Sequence, residues 1–303
     1  MKRKLFSLCI ALVMLFVTTV PAFATSTSDD IITDLEERTW INGNGETLVL
    51  PPIDVSENSY IPPIIPEGTD PEDLISLPTA SPNSVIGTDT RTPVNNPMNY
   101  PNSPIAELKL EFGPLTTYYG TGFLVAPNLL LTAGHNIVHQ VFGSCTKITV
   151  MFGGRNSNGW RFTITPGSNT YTPIHWNEDF NVRHDFAIIR LPNNVGNSLG
   201  TLALQTMGNS ELPLLKVRIT GFPQDKPAGS MWYDIGTIRE VEALLIHHDV
   251  DTYSSNSGSP VLLASNNSIV IGVHTYGRPQ IHPDYNSATR VTSTVIAAVN
   301  RMK

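Results

Sequence analysis

From residue 84 onward the chain consists of short apolar runs separated by Gly, Pro, Asn and Asp. Several runs alternate apolar and polar residues, most clearly residues 216–220, which is the pattern of a strand with one buried face. Many short strands with turn residues between them are typical of a β-sandwich or barrel. We therefore predict an all-β fold. The predicted strands are Ile105–Phe112, Gly120–Val125, Leu129–Thr132, Lys147–Phe152, Arg161–Thr165, Phe186–Leu191, Lys216–Gly221, Met231–Glu240, Leu244–His248, Pro260–Leu263 and Ile269–His274.

One segment near the C-terminus has the spacing of an amphipathic helix instead. Val295, Ile296 and Val299 fall on one helical face, and Thr292 or Ser293 can cap the first turn. We predict that a helix ends the chain.

Residues 1–24 have the features of a secretory signal peptide. Three basic residues follow Met1, an apolar run extends from Leu5 to Val20, and small residues stand at the end of the segment. The alternative is a retained membrane anchor. No later apolar run is long enough to span a bilayer, so we expect a secreted protein without membrane association after signal removal.

Charge divides the remaining chain into two parts. Residues 25–83 hold 12 acidic residues against one basic residue, whereas residues 84–303 hold 14 acidic and 15 basic ones. The acidic part also contains eight prolines. Such a composition buries little apolar surface, and it predicts an extended or largely unstructured segment. We interpret it as an acidic pro-segment, with a spacer or surface tail as the alternative.

Three residues in the second part could form a nucleophilic site. Ser257 lies among small residues in a loop just before an apolar strand, which exposes its hydroxyl and the neighbouring N–H groups. His135 follows an apolar strand, and Asp185 precedes another. The chain order His, Asp, Ser is that of the serine-protease triad. Each residue alone could equally be a strand-end histidine, a turn aspartate or a loop serine.

Six motifs stand in this part of the chain: S-V-I-G-T-D-T-R-T, T-G-F-L-V, T-A-G-H, H-D-F-A-I-I, D-T-Y-S-S-N-S-G-S-P and G-V-H-T-Y-G. As a set they resemble the chymotrypsin-like serine peptidases, and in particular their bacterial glutamyl endopeptidase branch. The resemblance extends from about Ser84 to the C-terminus. It implies two β-barrels, at about 84–195 and 196–290, with the cleft between them and a helix at 292–302.

The resemblance also implies catalytic roles. Ser257 attacks the peptide carbonyl, His135 accepts and returns the proton, and Asp185 orients the imidazole. The backbone N–H groups of Ser255 and Ser257 form the oxyanion hole. The family usually has glycine where this chain has Ser255, and serine is less free to adopt unusual backbone angles.

Specificity for glutamate is implied in the same way. In this branch a histidine contacts the substrate carboxylate, and the matching residue is His274, with Thr252 on the opposite wall. Together they can donate charge-assisted hydrogen bonds. Thr275 to Gly277 would pair with the substrate backbone, and Thr275 would bond the buried aspartate. His274 could instead be a core histidine.

Activation by cleavage is a further implication. The new N-terminus would be Ser84 or Val85, close to the specificity pocket, where its α-amino group adds positive charge for an acidic side chain. Cleavage there does not follow glutamate, so we expect a separate processing peptidase.

We expect no cofactor and no metal. His135 and His139 have the i, i+4 spacing of a zinc helix, but the intervening glutamate of the motif is missing. No phosphate loop or basic aromatic patch indicates a nucleic-acid partner. Cys145 is interpreted as a buried apolar residue rather than a nucleophile. The expected partners are protein or peptide substrates with Glu or Asp, and the expected state is a monomer. The alternatives are a peptidase of another specificity and a catalytically silent binding relative.

Overall fold

The computed structural model describes residues 31–32, 34–54, 59–67, 85, 88–278 and 280–303. The predicted signal peptide lies outside the described residues. Within these ranges, no helix has the length and apolar character needed to cross a membrane.

The described chain is predominantly β, as the alternating pattern predicts. Five predicted strands begin and end where the sequence places them, and the others shift by one to four residues at their ends. The helices are α1 (Ile174–Asp179), α2 (Gly196–Leu199) and α3 (Ser293–Met302). The strands are β1 (Ile31–Ile32), β2 (Thr39–Asn42), β3 (Thr47–Val49), β4 (Ile53–Asp54), β5 (Tyr60–Ile61), β6 (Thr92–Pro93), β7 (Ile105–Phe112), β8 (Thr116–Ala126), β9 (Leu129–Thr132), β10 (Val138–His139), β11 (Gly143–Ser144), β12 (Lys147–Phe152), β13 (Arg161–Ile164), β14 (Thr170–Pro173), β15 (Ala187–Arg190), β16 (Ala203–Gln205), β17 (Lys216–Gly221), β18 (Trp232–Val241), β19 (Leu245–His248), β20 (Pro260–Leu263), β21 (Asn266–Tyr276) and β22 (Asn286–Arg290).

The first of two large sheets has the strand order β13-β12-β7-β8-β9-β15-β14-β2-β3. Its pairs are antiparallel, and the alternating residues Leu108, Leu110, Ile148 and Val150 are buried in its core. This sheet forms the N-terminal barrel. Its strand β9 ends shortly before His135, and its strand β15 begins shortly after Asp185.

The second sheet has the order β20-β17-β18-β19-β22-β21-β16-β5. Because β20 also pairs with β21, strands β17 to β22 close into a six-stranded barrel. Closure removes free strand edges, which would otherwise attract other chains. Its core contains Val217, Ile219, Ile246, Val261 and Ile271.

The acidic segment contributes strands to both sheets. Strands β2 and β3 extend the first sheet beyond β14, and β5 pairs with β16 in the second. The segment is extended, as its composition predicts, but its described strands pair with strands of the folded domain. Four of its apolar side chains supply the reason, since Trp40, Leu50, Ile53 and Ile61 are all buried. Average composition does not reveal these anchors.

The C-terminal helix α3 is confirmed. The Thr292 hydroxyl accepts a hydrogen bond from the Val295 N–H, which satisfies one of the free donors of the first turn. Val295, Ile296 and Val299 are buried in one core cluster with Trp40. The helix and the acidic segment therefore share a core.

Cys145 is buried, as expected. Its burial raises the pKa of the thiol to about 11, so it is protonated and unreactive at neutral pH.

Candidate functional site

A cavity of about 1090 Å³ lies where the two barrels meet, and it collects almost every residue that the sequence predicts for the site. Asp185 is the exception, because it is fully buried behind His135. The sequence-predicted residues that line the cavity are Val85, His135, Thr252, Ser255, Ser257, His274, Thr275 and Gly277.

Strand pairing brings His135 and Asp185 together. His135 lies three residues beyond β9 and Asp185 two residues before β15, and these strands pair with Thr132 opposite Ala187. The Asp185 carboxylate accepts the His135 backbone N–H at 2.8 Å and contacts the ring Nδ1 at 2.7 Å. These two contacts fix the imidazole with Nδ1–H toward the aspartate and leave Nε2 free to accept a proton.

The glycine before His135 is required by this close approach. A Cβ atom at Gly134 would stand 2.9 Å from the Asp185 carboxylate and 2.7 Å from the ring of Trp176. Only glycine leaves room for both groups, which explains the T-A-G-H motif.

The loop that carries Ser257 is attached to the first barrel. The Ser257 carbonyl accepts hydrogen bonds from the Thr121 N–H at 2.9 Å and from the Asn136 side chain at 3.0 Å. Gly258 has φ +89°, and a Cβ there would lie 2.0 Å from the Thr121 carbonyl, so glycine is needed. The Ser257 hydroxyl donates to the Thr275 carbonyl at 3.3 Å.

The two candidate oxyanion donors are available. Among the described residues, neither the Ser255 N–H nor the Ser257 N–H donates a hydrogen bond to another protein group. The Ser255 carbonyl is held by the Thr121 hydroxyl at 2.9 Å. Ser255 has φ +78°, in the region that favours glycine, so the departure from the family pattern carries backbone strain.

A pair of buried histidines forms one wall of the cavity. The Nδ1 of His274 lies 3.3 Å from the Nε2 of His248, whose own Nδ1 accepts the Val250 N–H at 3.3 Å. Burial lowers the pKa of His248 to about 3 and that of His274 well below its usual value. Both rings are therefore neutral near pH 7.

The hydrogen bonds of this pair fix its tautomers. An N–H can only donate, so the Nδ1 of His248 is unprotonated and its proton is on Nε2. That proton is donated to the Nδ1 of His274, which leaves the His274 proton on Nε2. His274 thus keeps one N–H donor for a ligand in the cavity.

Strand β21 supplies the neighbouring wall. The Thr275 hydroxyl donates to the Ser287 carbonyl at 3.4 Å, and not to Asp185 as the resemblance implies. The ring of Tyr276 lies 5.7 Å from that of His135, centroid to centroid. Burial, together with the negative charge of Asp185, raises the pKa of Tyr276, so its hydroxyl is neutral.

The segment after the predicted cleavage site is fixed to the second barrel. The Thr90 N–H donates to Asp251 at 3.0 Å, and Arg91 pairs with both Asp89 and Asp225. Burial raises the pKa of Asp251 to about 7. These contacts hold the chain five residues beyond Val85, whose half-exposed side chain reaches the cavity.

The sequence gives no signal for the role of His248. It lies on β19, which is separated from the β21 strand of His274 by β22, so their contact depends on the pairing of three strands. A double histidine at a strand end has no spacing that indicates this.

A family model described as a trypsin-like peptidase domain matches residues 120–273. The match includes His135, Asp185 and Ser257.

Curated relatives match a larger part of the chain. An "Extracellular metalloprotease" of Bacillus subtilis is 34% identical over 223 residues, which cover 73% of this chain and 70% of the relative. A glutamyl endopeptidase of Bacillus licheniformis is 31% identical over 226 residues, covering 73% and 69%.

A solved structure described as a Glu endopeptidase in complex with MPD has the same fold. It aligns with a TM-score of 0.63 and 28% identity, over 72% of this chain and 98% of that one.

Proposed function

Because the chain belongs to the trypsin-like peptidase family and is a serine endopeptidase, we propose that it is secreted as a zymogen and cleaves after glutamate, less readily after aspartate. The observation that carries the proposal is the position of His135. Its ring is held by Asp185 at 2.7 Å and faces the same cavity as Ser257 and His274.

The first chemical step requires one rotation. The Ser257 hydroxyl turns from the Thr275 carbonyl toward His135, a change of side-chain rotamer that is fast on the time scale of catalysis. Its oxygen attacks the substrate carbonyl carbon while the His135 Nε2 takes the proton. Asp185 retains Nδ1–H and stabilises the imidazolium.

The tetrahedral intermediate places negative charge on the former carbonyl oxygen. The free N–H groups of Ser255 and Ser257 donate to this oxyanion. The intermediate then expels the amine, which takes the proton from His135, and an acyl group remains on Ser257. Water attacks this ester with His135 again as base, and the acid product leaves.

Glutamate selectivity rests on the neutral His274. Its Nε2–H donates to the substrate carboxylate, and the nearby Thr252 supplies a hydroxyl on the same cavity. A hydrogen bond to a charged group contributes about 1.5–3 kcal/mol. An uncharged side chain of the same size receives less, which favours glutamate over glutamine.

Zymogen activation is proposed at Ser84 or Val85. Val85 already lines the cavity, so an α-amino group freed there would lie near a bound carboxylate. We expect a separate processing peptidase and a monomeric product. N-terminal sequencing of secreted protein tests this, and a start at Thr25 would contradict it.

A peptide-library digest tests the peptidase and its specificity together. The processed protein should cut after Glu, whereas Ser257→Ala should cut nothing. His274→Ala should abolish cleavage after Glu and retain slow cleavage elsewhere. Cleavage without preference for acidic residues would refute the specificity, and failure of Ser257 to react with a fluorophosphonate probe would leave a silent binding protein.

A further inference from the structure

Three side chains outside the cavity point toward a common gap. They are Glu37 of the acidic segment, His175 of α1, and His184 in the turn before Asp185. The Glu37 Oε1 lies 3.6 Å from the Nε2 of His175 and 3.8 Å from that of His184. All three ligand atoms lie within 4.8 Å of one another.

These distances do not fit hydrogen bonds. An N–H···O bond brings its heavy atoms to about 2.7–3.2 Å, and both Glu37 contacts are longer. They fit a shared metal better. Two ligand atoms that each lie about 2.0–2.1 Å from Zn²⁺ at a tetrahedral angle are separated by about 3.3–3.4 Å. A contraction of about 0.2–0.5 Å would bring each Glu37 contact to this separation, and the two histidine nitrogens, which lie within 4.8 Å of each other, would also move together around the ion.

The chemistry of the three groups also fits a cation. Imidazole nitrogens and a carboxylate oxygen are usual protein ligands of Zn²⁺. The three side chains are also accessible to an ion from solvent, since 18% of the His175, 13% of the His184 and 39% of the Glu37 side chain is exposed.

A carboxylate also lies beside the second nitrogen of one imidazole. The Nδ1 of His175 is 3.9 Å from the Asp179 carboxylate, one helical turn away, which is too long for a hydrogen bond. With Nε2 on the metal, a small rotation of the exposed Asp179 side chain would let it accept the Nδ1–H.

Strand pairing sets the position of Glu37. Trp40 of β2 pairs with Pro173 of β14, and α1 begins at the next residue. The acidic segment therefore reaches His175 only while β2 is paired with the peptidase domain.

We propose that Glu37, His175 and His184 bind Zn²⁺, with water as the fourth ligand, and that the metal clasps the acidic segment to the peptidase domain. This site departs from the expectation of no metal, which was based on the missing glutamate between His135 and His139. Its three ligands have no motif spacing in the sequence. The zinc site stands independently of the proposed zymogen, whereas the clasp rests on it.

Zinc binding is tested on the precursor carrying Ser257→Ala, which cannot cut itself. After treatment with chelator, titration calorimetry with ZnCl₂ should show one ion per chain, and Co²⁺ should give the absorption of a tetrahedral site. Glu37→Gln and His184→Ala should each weaken Zn²⁺ binding about a hundredfold, since each removes one of three protein ligands. Glu36→Gln and Glu178→Gln, which replace neighbouring exposed carboxylates, should change it less than twofold.

Hydrogen exchange tests the clasp on the same protein. Zinc should slow exchange of the β2 amides at least tenfold in the precursor and leave it unchanged in the Glu37→Gln variant. Absence of one-to-one binding, or binding unaffected by both ligand variants, overturns the site. Binding without slower β2 exchange overturns the clasp alone. Neither result depends on whether the processed protein cleaves after glutamate.

Discussion

His248 gives the sharpest test of the proposal that the cavity recognises a carboxylate. It is fully buried, and among the described residues its Nε2 contact with His274 is what determines which nitrogen of His274 carries the proton. We expect His248→Phe, which keeps an aromatic ring of similar size, to fold and to retain His135, Asp185 and Ser257 unchanged.

The expected loss follows from the tautomer. Without its partner, His274 can place the proton on Nδ1, and its Nε2 would then present a lone pair to the substrate carboxylate. The hydrogen bond to that carboxylate contributes about 1.5–3 kcal/mol. At about 1.4 kcal/mol per tenfold, its loss lowers kcat/KM for glutamate substrates by about 10- to 150-fold.

The assay compares kcat/KM for two peptide p-nitroanilides that differ only in Glu or Gln before the cleaved bond. His248→Phe should lower the glutamate value and leave the glutamine value within about threefold. His247→Phe is the matched control, because His247 is equally buried on the same strand but contacts Ser287 at 2.9 Å instead. An unchanged ratio of the Glu to the Gln kcat/KM in His248→Phe would refute the role of His248 in setting the His274 tautomer. An equal fall of this ratio in both variants would refute it as well.

Three further expectations can be measured directly. Ser255→Gly should leave kcat/KM similar or higher, because φ +78° suits glycine, and a clear loss on a glutamyl p-nitroanilide would contradict this. Trp40→Ala should lower the free energy of unfolding of the precursor by about 3–5 kcal/mol in urea titrations, because the ring is fully buried; a change below about 1 kcal/mol would show that the acidic segment is not anchored there. Burial lowers the pKa values of His184, His248 and His274 from 6.5, so the unfolded state takes up protons at a higher pH than the folded state. The free energy of unfolding should therefore be highest above pH 6.5 and decline as the pH falls toward about 3–4. Urea titrations from pH 7 to 4 should show this decline, with a smaller slope in the His248→Phe variant.

Much of the barrel architecture was predictable because its strands carry an apolar face. Strands β7, β9 and β12 are rich in Leu, Ile and Val, which are buried in the barrel core. Strand β22 was not predictable. Its sequence is N-S-A-T-R, yet all five residues are buried.

Distant partners explain the burial of β22. The Arg290 guanidinium donates to the Asn209 side chain at 2.6 Å and to the carbonyls of Met207 and Ala243. The Asn286 amide donates to the Val250 carbonyl at 2.8 Å. A buried polar strand is stable only when such partners exist, and they come from other parts of the chain. Its local pattern therefore resembles a loop.

The candidate site likewise has one part with a local sequence pattern, which contains His135 and Ser257, and one part that depends on distant contacts, which contains His274. His135 and Ser257 are adjacent to Gly134 and Gly258, whose missing side chains admit the Asp185 carboxylate and the Thr121 carbonyl. That steric need leaves a local mark in the sequence, so the motifs indicate which residues the fold brings together at the cavity. The state of His274 leaves no such mark, because it depends on a hydrogen bond that crosses a third strand. Motifs thus identify groups that need space, whereas the protonation that determines what a pocket recognises emerges only from the folded sheet.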